Sequence, residues 1–324
     1  MKKSQTILVV LLSALFWMSV LPGIGSAQLK TVNVALAGKE NPDNLPYFIG
    51  MRMGFFKEAG IDLKPSYFSG GGDVVRAITS GSASLAGVVA PSAIFIADSR
   101  GETVKIVSGN MGPPVGFVWV VKANSPLKSV RDLKGKKVGF SRPGSVTETA
   151  LLAILKQEKL EKDVQMVPVG TAPDNWTAVV NGILDAGYHT SPDVYYLVSK
   201  KEARILFSPI DYLKRYQKTV VAAMEGVIKK EPETIRNFLR ARSKAVKFIW
   251  SNPDKTIVIW AHELDLPVDV ARLAYKDLPR NAFDIEAPKM ENLRGSFEEA
   301  MGTGAIKVGL DLNRVLDMRF IPEN

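Results

Sequence analysis

A chain of 324 residues that is 46% hydrophobic and 23% charged can bury one large or two medium globular cores. It contains no cysteine, which excludes disulfides, thiolate metal sites, cysteine nucleophiles and lipid attachment through an N-terminal cysteine. The net charge of +9 is spread along the chain, and short clusters such as Lys134-Gly135-Lys136-Lys137 sit at turns without interleaved aromatics, which argues against nucleic-acid binding and for long-range attraction of anionic ligands.

The chain opens with Lys2 and Lys3, runs through uncharged apolar residues 7–21 and reaches Pro22, Gly23 and the small residues Gly25, Ser26 and Ala27. That is the pattern of a signal peptide over residues 1–27, cleaved before Gln28. Its apolar run is shorter than the ~20 residues that cross a bilayer. Charged residues interrupt every later apolar stretch, so the mature chain is expected to be a soluble exported protein.

Short β-rich runs follow at 32–36, 61–68, 85–89, 104–107 and 117–121, alternating with helical stretches, which predicts a parallel, doubly wound α/β sheet. The same alternation restarts at 137–140 and continues at 164–169, 186–189 and 204–207, which predicts a second α/β unit. A weak echo links the two: AITSGSASLAG at 77–87 and AVVNGILDAG at 178–187 each pair a short helix, a small turn and a strand. The last third reads as helical. A helix opens at Glu231-Pro232, carries Ile235, Phe238, Leu239, Val246 and Ile249 at helical spacing, and ends at Asn252-Pro253. Further helices at 253–264 and 267–278 leave too little β content for a third sheet, so this tail is expected to pack on the first unit.

Five segments in this order carry a resemblance: YFIGMRMGFFKEAGIDL (47–63), GGGDVVRAITSGSASLAGVVAPSA (70–93), DLKGKKVGFSRPGSVTE (132–148), VNGILDAGYHTSPDV (180–194) and NPDKTIVIWAHELDLPVDVARLA (252–274). The chain resembles the periplasmic substrate-binding proteins of ABC importers, in the class that takes nitrate, sulfonates, taurine and thiamine-pyrimidine precursors. The resemblance implies an α/β, two-lobed periplasmic-binding-protein (type II) clamshell, each lobe a doubly wound sheet flanked by helices. Residues 28–121 plus 222–324 would form lobe 1 and residues 122–221 lobe 2, with hinges at 120–123 and 218–222 that close around the ligand. It also implies a periplasmic monomer that takes a small-molecule solute, needs no cofactor and delivers to an ABC permease in the inner membrane.

The stretch GFSRPGSVTETALLAIL (139–155) reads as a strand end, a loop and a helix. Ser145 and Glu148 have capping-box spacing, and Leu151, Leu152, Ile154 and Leu155 form the apolar stripe behind them. The unpaired first-turn N–H groups and helix dipole suit a carboxylate or sulfonate, with Gly144 permitting close approach and Arg142 able to add a charged fork. Because ligands in open α/β sheets sit beyond the carboxyl ends of strands, the other strand-to-helix turns complete the candidate site. The ligand-binding set is Gly38, Ser69, Gly70, Gly71, Ser92, Asn110, Ser141, Arg142, Gly144, Ser145, Val146, Thr147, Tyr188 and His189. Tyr188, Trp176 and Phe117 keep an aromatic solute open.

His189 and His262 are the only histidines. His262-Glu263 begins like a zinc-protease motif, but Leu266 occupies the place of the second histidine, so no metal site is expected. Neither a P-loop nor a G-x-S-x-G elbow occurs, and relatives that synthesise a pyrimidine use a cysteine-rich motif that this chain lacks. A catalytic carboxylate pair among Glu40, Asp43, Asp73, Glu148, Asp174 and Asp193 is the enzyme alternative. The expected function is therefore solute capture without chemistry, with a sensor protein as an alternative recipient.

Overall fold

The computed structural model describes residues 28–306 and 310–322, and the signal-peptide expectation for residues 1–27 lies outside the described residues. The first half of the chain alternates strands and helices: β1 (Lys30–Ala37), α1 (Leu45–Arg52), α2 (Phe55–Glu58), β2 (Ile61–Phe68), α3 (Gly71–Thr79), β3 (Leu85–Val89), α4 (Pro91–Ser99) and β4 (Val104–Met111). A second series runs through β5 (Phe117–Lys122), β6 (Lys137–Phe140), α5 (Val146–Gln157), β7 (Gln165–Pro168), α6 (Ala172–Val180), β8 (Gly187–Thr190), α7 (Asp193–Ser199) and β9 (Ala203–Phe207). The chain then returns through β10 (Thr219–Met224) and ends in α8 (Glu225–Lys230), α9 (Pro232–Ser251), α10 (Pro253–Leu264), α11 (Val268–Lys276) and α12 (Met290–Gly302).

Period-two alternation decides which layer each strand residue joins. Val32, Val34 and Leu36 of β1 face Tyr47, Phe48 and Phe238 of α1 and α9, while Ala35 faces Val74, Ile78 and Ile94 of α3 and α4. The first sheet has the order β2-β1-β3-β10-β4. The second is wound the same way: β6 pairs with β7, β8 pairs with β5 and β5 with β9, and a parallel bridge between Val138 and Ala186 joins β6 to β8. The two echoing segments thus occupy matching places, as α3 with β3 and as α6 with β8.

Two expectations change. The sheets are mixed, because the strand that follows each crossing between them enters antiparallel: β5 against β8 and β9, and β10 against β3 and β4. The expected boundaries after Val121 and Val221 cut through β5 and β10, and the expected hinges at 120–123 and 218–222 fall largely on these paired strands. The chain passes between the sheets at 112–116 and 208–218. Gly116 holds φ +77 with the Pro42 ring 2.2 Å from where a Cβ would lie, so only glycine fits that crossing.

The second core gathers Leu151, Ile154 and Leu155 of α5 around Trp119, whose ring stacks on Phe207 at 5.0 Å and whose Nε1 donates to the Gly139 carbonyl at 2.9 Å. Helix α9 spans the residues expected for it and packs on α1 and α2, while α12 lies against both α4 and α5. Among the described residues, no helix is long and apolar enough to cross a membrane.

Candidate functional site

The carboxyl ends of the two sheets face each other across a cleft of about 500 Å³, open mouth included. One wall comes from the turns after β1 and β2 (Gly38, Asn41, Asp43, Ser69, Gly70, Gly71) and the other from the loop after β6 (Ser141, Ser145, Val146, Thr147) with Tyr188 and Thr190 of β8. Phe117, Lys218 and Thr219, at the starts of β5 and β10, form its floor.

The α5 loop is tied by its own hydroxyls. Thr147 Oγ1 accepts from the Ser141 N–H at 2.9 Å and lies 2.8 Å and 3.0 Å from the Ser141 and Ser145 hydroxyls. Ser145 caps the helix, accepting from the Glu148 N–H at 3.2 Å, but the Glu148 carboxylate turns to the Gly144 N–H at 2.6 Å, one residue before the expected partner. First-turn N–H groups have no intrahelical acceptor, and Val146 and Thr147, the first two residues of α5, line the cleft. With the Thr147 hydroxyl engaged, this wall offers backbone donors and the helix dipole.

A buried ion pair, unexpected from sequence, holds the floor. Lys218 Nζ lies 2.5 Å from Asp43 Oδ2, with the two side chains 4% and 1% exposed. The Thr219 hydroxyl donates to the other oxygen, Oδ1, at 2.6 Å. Burial pulls the Lys218 ammonium below its ordinary range, and Asp43 opposes that pull. An ammonium has three hydrogens; here Asp43 takes one, Met111 Sδ lies at 3.5 Å, and the Phe117 ring centroid at 5.1 Å, which leaves donor capacity for the cleft.

Tyr188 presents its ring to the cleft, since its hydroxyl donates to the Gly170 carbonyl at 2.9 Å, and burial raises that hydroxyl well above its usual range. His189 alternates to the other side of β8 and does not line the cleft. Its Nδ1 accepts from the Thr190 N–H at 3.0 Å, and Nε2 faces Asp193 at 3.5 Å. Burial lowers its pKa, against the pull of Asp193. The next residue in the alternation, Thr190, is 1% exposed and lines the cleft, and its hydroxyl has no hydrogen-bond partner.

Other candidates sit elsewhere. Ser92 does not line the cleft; its hydroxyl donates at 3.0 Å to the Gly144 carbonyl and ties the first sheet's α4 to the loop of the second. Arg142 is exposed outside the cleft, with its Cβ against Gly70. Asn110 lies below the floor, bonded to Arg242 and Thr219. Trp176 packs against the buried cluster of Ala178, Val179 and Leu184. His262 and Glu263 both engage Arg52 on the surface. The candidate set omits Thr190, although its turn is one of those expected at the cleft, and omits Lys218, which falls in an expected hinge. The signal for Lys218 is a single charge heading the uncharged run TVVAAM; for Thr190 it is the period of two from Tyr188.

Glu40, half-buried in the turn after β1, has its carboxyl near the Ala172 backbone at the start of α6 and near Asp174 and Asp193. Burial raises its carboxyl above 4.5, and both aspartates add to the rise. A raised carboxyl favours the protonated native state, so its contribution is present below the unfolded value and is lost as pH climbs through the raised one. Glu40→Gln is expected to leave stability unchanged at pH 4 and to raise the melting temperature at pH 7. Equal melting temperatures at both values would refute it.

A model of the family described as NMT1/THI5 like matches residues 41–256. The chain belongs to the NMT1/THI5-like family. Across 305 residues it is 27% identical to the formylaminopyrimidine-binding protein of Halalkalibacterium halodurans, covering 91% of this chain and 89% of that protein. Identity to the 4-amino-5-hydroxymethyl-2-methylpyrimidine phosphate synthase THI5 of Saccharomyces cerevisiae is 23%, covering 84% and 82% of the two chains. The crystal structure of the periplasmic aliphatic sulphonate binding protein SsuA from Escherichia coli superposes with a TM-score of 0.73 at 20% identity, over 88% of this chain and 97% of that one. This member of the NMT1/THI5-like family therefore has the α/β periplasmic-binding-protein fold, with the cleft between its two sheets.

Proposed function

We propose that this NMT1/THI5-like protein is an extracytoplasmic receptor that captures a small organic solute between its lobes and delivers it to an ABC-type permease. The solute carries a hydrogen-bond acceptor or anionic group on a flat, heteroaromatic or small body. One observation carries the reading: the buried Thr190 hydroxyl is without a partner in a cleft that is also lined by the first residues of α5 and by a lysine with donor capacity to spare. A buried polar group left unpaired costs free energy, which a ligand acceptor would recover. Phe117 and Tyr188 supply aromatic faces. The relative named for formylaminopyrimidine binding and the sulphonate-binding neighbour support this choice of solutes.

Export rests on the signal-peptide pattern of residues 1–27. The lobes are residues 30–111 with 219–306 and 310–322, and residues 117–207; they close about the crossings at 112–116 and 208–218, where the backbone lies outside the strand ladders. The working form is a monomer. Because the yeast relatives are named synthases, an enzyme is the second reading, and the ionisable pair Lys218–Asp43 in the cleft favours it.

A thermal-shift screen of residues 28–324 against pyrimidines, alkanesulfonates, taurine, nitrate, aromatic carboxylates and polyamines tests the receptor. A ligand at about 100 times its Kd stabilises by roughly 2.7 kcal/mol. A saturable shift from one class, with the compound recovered unchanged, is the expected result. A chemically altered compound would favour the enzyme, and no shift from any class would remove the case for a receptor of these solutes.

A further inference from the structure

Arginine 242 lies on the buried stripe of α9, one turn from Phe238, Leu239, Ala245 and Val246, and is 1% exposed. A charge on such a face is costly unless it is hydrogen-bonded. Its guanidinium clamps a single residue at the end of β4: Nε donates to the Asn110 side-chain oxygen at 3.0 Å and Nη2 to the Asn110 backbone carbonyl at 2.7 Å, while Nη1 donates to the Asp284 carbonyl.

That clamp fixes which way the Asn110 amide faces, and the acceptor-only Asp43 carboxylate fixes the other end of the relay. An amide facing Arg242 with its nitrogen would set donor against donor, so Oδ1 must face the guanidinium and Nδ2 must face the other way. There Nδ2 donates to Thr219 Oγ1 at 3.0 Å. The Thr219 hydroxyl, having accepted, sends its hydrogen to Asp43 Oδ1 at 2.6 Å. Asp43 is left with Oδ2 for Lys218, at 2.5 Å. The relay runs from the C-terminal helices, through a residue beside each of the two crossings, to the one lysine on the cleft floor.

We propose that Arg242 is the positioning residue of the cleft: without touching the solute, it orients the Asn110 amide and, through Thr219 and Asp43, sets the placement and charge of Lys218 for the ligand. This rests on the cleft being the solute site. The test needs no solute, so it fails separately from an empty ligand screen.

The 13Cε resonance of Lys218 is followed through a pH titration in the wild type, Arg242→Lys, Thr219→Val and the double variant, each first checked for folding by circular dichroism. Lysine keeps the charge of Arg242 but cannot clamp both Asn110 oxygens. Freed from the Thr219 hydrogen, the Asp43 carboxylate holds the ammonium more strongly. The Lys218 midpoint is expected to rise by roughly one pH unit in Arg242→Lys and in Thr219→Val, and no further in the double variant. A folded Arg242→Lys with the wild-type midpoint, or additive shifts in the double variant, would overturn the proposal. Should Arg242→Lys fail to fold, hydrogen exchange in the wild type decides. Protection of the Asn110 Nδ2 and Arg242 Nε hydrogens is expected, and free exchange at either would overturn it equally.

Discussion

Lys218→Met is expected to cost about 3–5 kcal/mol of folding stability, because it leaves the Asp43 carboxylate buried with only the Thr219 hydroxyl as donor. Asp43→Asn should cost less. The lysine it strands can shed its proton, and burial already draws its pKa down. Combining the two puts a neutral amide beside an apolar chain of similar length, and most of the loss should be regained. Urea unfolding of the four proteins gives the coupling directly. The pH dependence has a definite sign. A cation whose native pKa lies below its ordinary 10.5 binds its proton more readily in the unfolded chain, so its contribution to stability rises with pH between the depressed value and 10.5. That rise should be present in the wild type and reduced in Lys218→Met. If Lys218→Met unfolds at the wild-type urea concentration, the pair is not the buried, mutually dependent unit described above.

The parts of this protein that sequence made legible are those governed by local periodicity. The strands at 61–68 and 85–89 carry bounded β-rich runs, and α9 carries an apolar stripe between two prolines, so their limits match within a residue. The α5 loop was legible for the same reason: Ser145 and Glu148 are three residues apart, and capping is a short-range interaction. The ion pair was not, because its members lie 175 residues apart and meet only when β10 enters the first sheet. The family resemblance places a hinge at 218–222, where β10 begins, and only the ladder partners on β3 and β4 make those residues a strand. Arg242 interrupts the apolar spacing of α9, a visible anomaly, but its partner Asn110 is 132 residues away. Ser92 and Gly144 illustrate a different limit. Both occupy ligand-facing turns in sequence, and each satisfies the other once the lobes meet.

Thr190→Val is expected to stabilise the ligand-free protein by about 1 kcal/mol while weakening solute binding. The reasoning turns on which state uses the hydroxyl. In the free protein Thr190 Oγ1 is buried without a partner, a condition that costs roughly 1–3 kcal/mol, and valine removes the polar atom while keeping the β-branched shape that suits β8. In the bound state a ligand acceptor would receive that hydrogen, so its loss should reduce affinity about 10-fold or more, equivalent to ~1.4 kcal/mol. Thr149→Val provides the control with the opposite sign. Its hydroxyl lies 2.8 Å from the Tyr216 hydroxyl at a site away from the cleft lining, so removing it should destabilise by about 1 kcal/mol and leave affinity unchanged. The two variants are compared by urea unfolding and by calorimetric titration with the compound the screen selects. A destabilised Thr190→Val that binds as the wild type would mean that the hydroxyl serves the fold and faces no ligand, and the assignment of the cleft would then rest on the α5 terminus and Lys218 alone.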